Sequence, residues 1–158
     1  MEKYIYETLG KYGWETQRQK FHNETFQGWD SSGSGVGRTY QDLNGVNVIG
    51  TKNGTNTDQI VIIGAHYDTV DNTPGADDNG TGIAALLELA RILGKHTFVK
   101  TLILVAFDME EIGLLGSRAI IEKLPENAVV EGALIFDTMG YIDGKDNSQK
   151  IPTGFSLL

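Results

Sequence analysis

The chain contains no cysteine, only three prolines and only three histidines in 158 residues. Without cysteine there is neither a disulfide framework nor a thiolate metal site, so any metal must be held by His, Asp and Glu. Basic residues are also short: 13 Lys and Arg against 21 Asp and Glu leave a formal net charge of −8. A nucleic-acid partner would need a basic patch, and this balance argues against one. No apolar run approaches the ~20 residues that cross a membrane, so no membrane association is expected. The opening Met1–Gly10 has no apolar signal-peptide core. With 40% hydrophobic residues, the composition is that of an ordinary globular protein, and the length suits one domain.

What is present is organised around Val61–Gly82, VIIGAHYDTVDNTPGADDNGTG. The β-branched run Ile60–Ile63 reads as a strand buried on both faces. It delivers His66 and Asp68 to a polar loop, and Asp77 and Asp78 stand at the mouth of a helix over Asn79–Leu93. In that helix Ile83, Leu86, Leu87, Ala90 and Leu93 recur at helical spacing. Upstream, the spacing predicts a helix over Glu2–Lys11, a strand over Trp14–Phe26 with one wet face, and a Gly- and Ser-rich loop over Gln27–Gly37. A short strand over Val46–Thr51 meets a strand over Gln59–Ala65 through KNGTNTD. Asn53-Gly54 is a strong hairpin dipeptide, so these two strands are expected to pair antiparallel. Downstream, TLILVAF (Thr101–Phe107) reads as a buried strand that runs into Asp108, Glu110 and Glu111. A helix over Leu114–Leu124 stops at Pro125, and a further buried strand, Val129–Phe136, ends on Asp137.

Strands alternating with helices predict an α/β fold: a three-layer α/β/α sandwich with a mixed, mostly parallel sheet, forming one domain over 1–158 with its core from about residue 46. Three of the strands finish on imidazole or carboxylate side chains, at the edge where open α/β sheets bind ligands. Each residue alone has an ordinary structural role, Asp77 or Asp78 as a helix cap and Glu110 and Glu111 as first-turn carboxylates. Their convergence fits a two-metal hydrolase. Nitrogen and oxygen ligands suit zinc, with manganese or cobalt as alternatives. Two ions ~3.5–4 Å apart polarise a carbonyl and activate water, and a free carboxylate beside them moves the proton. Asp68, two residues after His66, is placed to orient the imidazole.

HYD at 66–68, PGADDNGTG at 74–82, EEIGLLGS at 110–117 and the strand end at Asp137, in this order and spacing, resemble the co-catalytic di-zinc aminopeptidases of clan MH. That family includes bacterial leucyl aminopeptidase, glutamate carboxypeptidase II, the glutaminyl cyclases and the transferrin-receptor ectodomain. The resemblance covers roughly Val46–Leu158. It implies that His66 and Asp137 ligate one zinc, Asp78 bridges two, Glu111 holds the second, Glu110 is the general base and Asp68 orients His66. It also implies a cis peptide at Asp78–Asn79. The implied activity is zinc-dependent removal of N-terminal residues from a peptide substrate. The alternatives are a related carboxypeptidase or glutaminyl cyclase, or a non-catalytic binding module.

One feature of the family is missing. A further histidine on the second zinc is expected downstream of Asp137, and none of the 21 residues after Asp137 is a histidine. His22 and His96 are the only others, and neither is placed to substitute. The chain is therefore expected to be the N-terminal part of a catalytic domain, with an incomplete second metal site and weak metal binding. An exposed sheet edge, open to self-association, is expected as well. For the intact parent an extracellular or periplasmic location is expected.

Overall fold

The computed structural model describes residues 1–30, 37–141 and 143–145. In chain order it contains α1 (Glu2–Lys11), β1 (Glu15–Gly28), β2 (Arg38–Lys52), β3 (Asn56–His66), α2 (Gly80–Leu93), β4 (Lys100–Phe107), α3 (Leu115–Ile121) and β5 (Val129–Phe136). The strands form one sheet in the order β1-β2-β4-β3-β5. β1 and β2 pair antiparallel, as do β2 and β4, whereas β3 is parallel to both β4 and β5.

Alternation along β3 and β4 sorts the core onto two faces. Ile63, Ala65, Leu104 and Ala106 point to one face, where α1 and α2 supply Ile5, Leu9, Ile83, Leu86 and Ala90. Ile60, Ile62, Val105 and Phe107 point to the other, against Ile120 of α3. Helices thus cover both faces of a mixed sheet, and the parallel part carries the site. Trp14 fastens the first layer by donating its indole N–H to the Ala90 carbonyl at 2.9 Å.

The expected hairpin between Val46–Thr51 and Gln59–Ala65 does not form, because β4 lies between β2 and β3. A strand apolar on both faces belongs in the interior of a sheet, and β3 takes parallel neighbours on both edges. Asn53-Gly54 instead packs on the start of β4. Thr55 and Asn56 donate their amides to the Phe98 and Val99 carbonyls, and a Cβ at Gly54 would sit 2.2 Å from the Val99 oxygen. That glycine serves a close approach of two backbones, not a hairpin turn.

The real hairpin joins β1 to β2 in register from Glu15↔Thr51 to Gly28↔Arg38. β1 runs on through Gln27 and Gly28, and residues 31–36 of the expected Gln27–Gly37 loop lie outside the described residues. β5 departs from its expected burial. It pairs with β3 along one edge, and Leu134 and Ile135 are 50% and 53% exposed. Among the described strands only β3 pairs with it, which leaves most of its side chains exposed. α3 is shorter than the expected Leu114–Leu124 at both ends: Leu114 is left-handed (φ 62°) and precedes the helix, and Lys123 and Leu124 turn back to the Ile120 and Ile121 carbonyls beyond its last residue.

Leu104 is fully buried in β4, with helices above it and strands on both sides. Leu104→Ala is expected to lower unfolding free energy by about 2–5 kcal/mol through lost burial and a residual cavity, read from a urea titration. A loss below ~1 kcal/mol would place the core elsewhere.

Candidate metal centre

The parallel register brings the site together. His66 of β3 lies opposite Phe107 of β4, and Ala65 lies opposite Phe136 of β5. Asp108 and Asp137 therefore follow at one level of the C-terminal sheet edge, with the 3% exposed His66 between them. Its Nδ1 faces the Asp68 carbonyl at 3.2 Å and the Asp68 carboxylate at 3.5 Å. Two acceptors on that side suit a proton on Nδ1. Nε2 then points at carboxylate oxygens of Asp78 at 3.1 Å and Asp137 at 3.6 Å. His66, Asp78 and Asp137 offer ligand atoms within 4.8 Å of one another, and so do His66, Glu110 and Glu111. The peptide joining Asp78 to Asn79 is cis.

Glu110 and Glu111 sit in a turn, not on a regular element. Met109 (φ 54°) and Leu114 (φ 62°) take left-handed backbone on either side of the pair, and the Leu114 amide returns to the Glu110 carbonyl at 2.9 Å. Asp68 does more than orient His66. Its carboxylate accepts the backbone N–H of Glu110 and of Glu111, each at 3.1 Å, which fixes the turn against the His66 loop.

The electrostatics follow from crowding. Burial alone would lower His66, but the hydrogen bond and charge of Asp68, with the charges of Glu110 and Asp137, outweigh it and push the imidazole up to about 9. Burial raises Glu110 above the usual carboxylate range; Asp68, Asp137 and Asp78 add to this against the pull of His66. Glu111 is raised likewise, by burial first and then by Asp78. One buried atom bears on what the cluster can hold: Glu111 Oε1 has no hydrogen-bond partner among the described residues. An unpartnered carboxylate oxygen facing an imidazole and further carboxylates is a donor set for a divalent cation. The residues present fit zinc or a similar ion. A cavity of about 220 Å³ opens beside the cluster, lined by His66, Phe107, Glu110, Leu114, Ser117, Ile135 and Asp137.

Every sequence-predicted site residue, His66, Asp68, Asp78, Glu110, Glu111 and Asp137, lies in this cluster. Asp77 does not; it accepts from the Thr81 hydroxyl and the Gly140 amide. Nor does it cap α2, since that role falls to Asn79, whose side chain accepts the Gly82 N–H at 3.0 Å. Asn79 also donates to the Phe136 carbonyl at 2.9 Å, tying the start of α2 to the end of β5 beside Asp137. His22 pairs with Asn44 on the β1–β2 hairpin and, among the described residues, is not one of the clustered ligand groups. Sequence reasoning missed the buried supports Asn47 and Asn79. Asn79 carried a signal, an asparagine directly before a helical pattern; Asn47, inside a strand, carried none.

The profile of Peptidase family M28 matches residues 47–156. Aminopeptidase YwaD of Bacillus subtilis is 40% identical over 93 residues, covering 58% of this chain and 20% of that protein. Among solved structures, BSAP, a zinc aminopeptidase from Bacillus subtilis, superposes with a TM-score of 0.73 at 18% identity, covering 87% of this chain and 62% of its own. Glutaminyl cyclase from Porphyromonas gingivalis superposes with a TM-score of 0.66 at 25% identity, covering 86% and 49%. The chain thus spans a fifth of the curated relative and about half to two-thirds of the two structures.

The orphaned oxygen separates stability from binding. Glu111→Met removes a half-buried carboxylate with one buried oxygen that has no partner among the described residues, so the metal-free variant is expected to equal the parent chain in stability or exceed it by up to ~1 kcal/mol in urea with chelator present. The same variant is expected to bind zinc at least about tenfold more weakly. A variant clearly less stable without metal would make Glu111 a structural residue.

Proposed function

The chain belongs to peptidase family M28, and we propose that it carries the metal centre of a zinc aminopeptidase acting on peptides. The observation that supports this best is the convergence of Asp78, Asp137, Glu110 and Glu111 on one buried imidazole, with Glu111 Oε1 left without a partner among the described residues. His66 through Nε2 and Asp137 would hold one zinc, Asp78 would lie between two, and Glu111 would hold the second. Bound there, zinc supplies a Lewis acid for the scissile carbonyl and lowers the pKa of water toward neutrality.

The chain's own groups do the rest. Glu110 stands beside the ligands with its carboxyl raised by burial, which suits a group that accepts a proton from water and returns it to the leaving amine. Asp68 keeps the His66 proton on Nδ1, so that Nε2 stays available, and holds the Glu110–Glu111 turn through its two amide contacts. The surplus of carboxylates around the cluster favours a substrate bearing a free ammonium group.

Two measurements test this reading. Calorimetric zinc titration of the metal-stripped chain is expected to show uptake that Asp78→Ala abolishes. Hydrolysis of an aminoacyl p-nitroanilide is expected to fall about 10²–10⁴-fold in Glu110→Gln, with zinc uptake unchanged. Equal activity in Glu110→Gln would remove it as the base. The structural likeness to a glutaminyl cyclase gives the second reading, and cyclisation of an N-terminal glutamine without peptide hydrolysis would favour it. Zinc uptake with no turnover of either substrate, by a protein spanning the full length of these relatives, would favour a binding module.

A further inference from the structure

Asn47 is fully buried in the middle of β2 and bears no part in the metal cluster. Its side-chain amide is bonded on every side. Oδ1 accepts the backbone N–H of Asp108 at 3.0 Å, and Nδ2 donates to the Gly116 carbonyl at 2.8 Å. Asp108 and Gly116 are the two ends of the turn that presents Glu110 and Glu111. The Gly116 amide closes the same ring by donating to the Asp108 carbonyl at 3.0 Å. One primary amide thus pairs with both ends of the turn, standing in for a stretch of backbone.

The fit leaves no slack. A Cβ at Gly116 would lie 2.4 Å from Asn47 Oδ1 and 2.4 Å from the Asp108 carbonyl. The other Nδ2 proton goes to Gln19 Oε1 at 2.8 Å, and Gln19 in turn donates to the Ala119 carbonyl at 2.7 Å. β1, β2, the end of β4 and α3 are therefore joined through two neutral amides. Neutrality matters here, because Asp108 lies beside them and burial already raises its carboxyl. A charged residue in place of Asn47 would have to be desolvated next to it.

We propose that Asn47 is the positioning residue for the Glu110–Glu111 turn: by holding Asp108 and Gly116 together from beneath, it sets the distance of both glutamates from His66. The proposal rests on the metal reading for its functional consequence and on hydrogen bonding alone for its structural one. Buried polar groups satisfied in full on one side chain rigidify what they hold, and outer partners of metal ligands tune affinity strongly.

The test compares the parent chain with Asn47→Asp, which keeps shape and the acceptor but loses both donors, and with Gln19→Met, which removes one partner of Asn47. Folding of each is checked by circular dichroism. Zinc affinity is expected to weaken more than about tenfold in Asn47→Asp and by less in Gln19→Met. Amide hydrogen exchange is expected to quicken at Glu110, Glu111 and Leu114–Gly116, while Leu104 and Val105 in β4 keep their protection. If Asn47→Asp does not fold, Gln19→Met decides by the same two readings. Unchanged turn exchange with parental zinc affinity overturns the proposal. Exchange quickened equally in β4 and the turn also overturns it, since Asn47 would then only stabilise the fold. A parent chain that binds no zinc overturns the metal reading instead, and turn-specific exchange still decides whether Asn47 anchors the turn.

Discussion

The parallel pairing of β3 with β4 on one side and β5 on the other is the constraint on which the site depends. Parallel strands start and finish at the same end, so their successors emerge at one edge. His66 is the last residue of β3 and lies opposite Phe107, while Phe136 lies opposite Ala65. A slip of one residue on either side would turn His66 or its neighbours to the opposite face of the sheet. Apolar side chains on both faces of β3 and β4 make that slip costly. The hydrophobic core therefore specifies the spacing of the polar cluster, although no apolar residue belongs to it.

The cluster that results is electrostatically unfavourable by itself. Asp78, Asp137, Glu110 and Glu111 surround a single imidazole, in a chain whose formal charge is already −8. Burial and mutual repulsion raise Glu110 and Glu111, and Asp68, with the charges of Glu110 and Asp137, pushes His66 up. A cation bound between them relieves the repulsion that folding creates, so binding and folding are thermodynamically linked. The unpartnered Glu111 oxygen marks the point where that relief is least supplied by the protein.

Much of this was legible in the sequence, and the reasons differ by element. The strand β4 and the helix α2 were read from unbroken apolar or helical periodicity, which local residues determine. The residues that meet in the cluster could be picked out because strand ends carry chemistry wherever a parallel sheet can be inferred. Strand order was not. Asn53-Gly54 looked like a hairpin turn, but the identity of its neighbour was decided by the start of β4, more than forty residues later, and no local signal reports that. β5 reads as buried from its Val, Leu and Ile content, yet among the described strands only β3 pairs with it, so most of its side chains are exposed. The long outer part of the β1–β2 hairpin escaped because, apart from Tyr40 and Leu43, residues 38–45 are polar or glycine, with no regular alternation to read.

The least legible residues are the ones that hold the halves of the site in place. Asn79 links the loop carrying Asp78 to the strand end carrying Asp137, through the Phe136 carbonyl. Asn47 closes the turn carrying Glu110 and Glu111. Each is buried, each satisfies backbone groups that regular secondary structure leaves over, and each is neutral. An amide can donate and accept at once, so it can bridge two backbone segments where a carboxylate would repel carbonyls and an ammonium would repel amides. Its bonds also do not change when protons or cations come and go a few ångströms away. A frame built from such groups can hold a cluster whose own charge state changes on metal binding. That explains why asparagine, an otherwise poor residue for strand interiors, occupies the centre of β2.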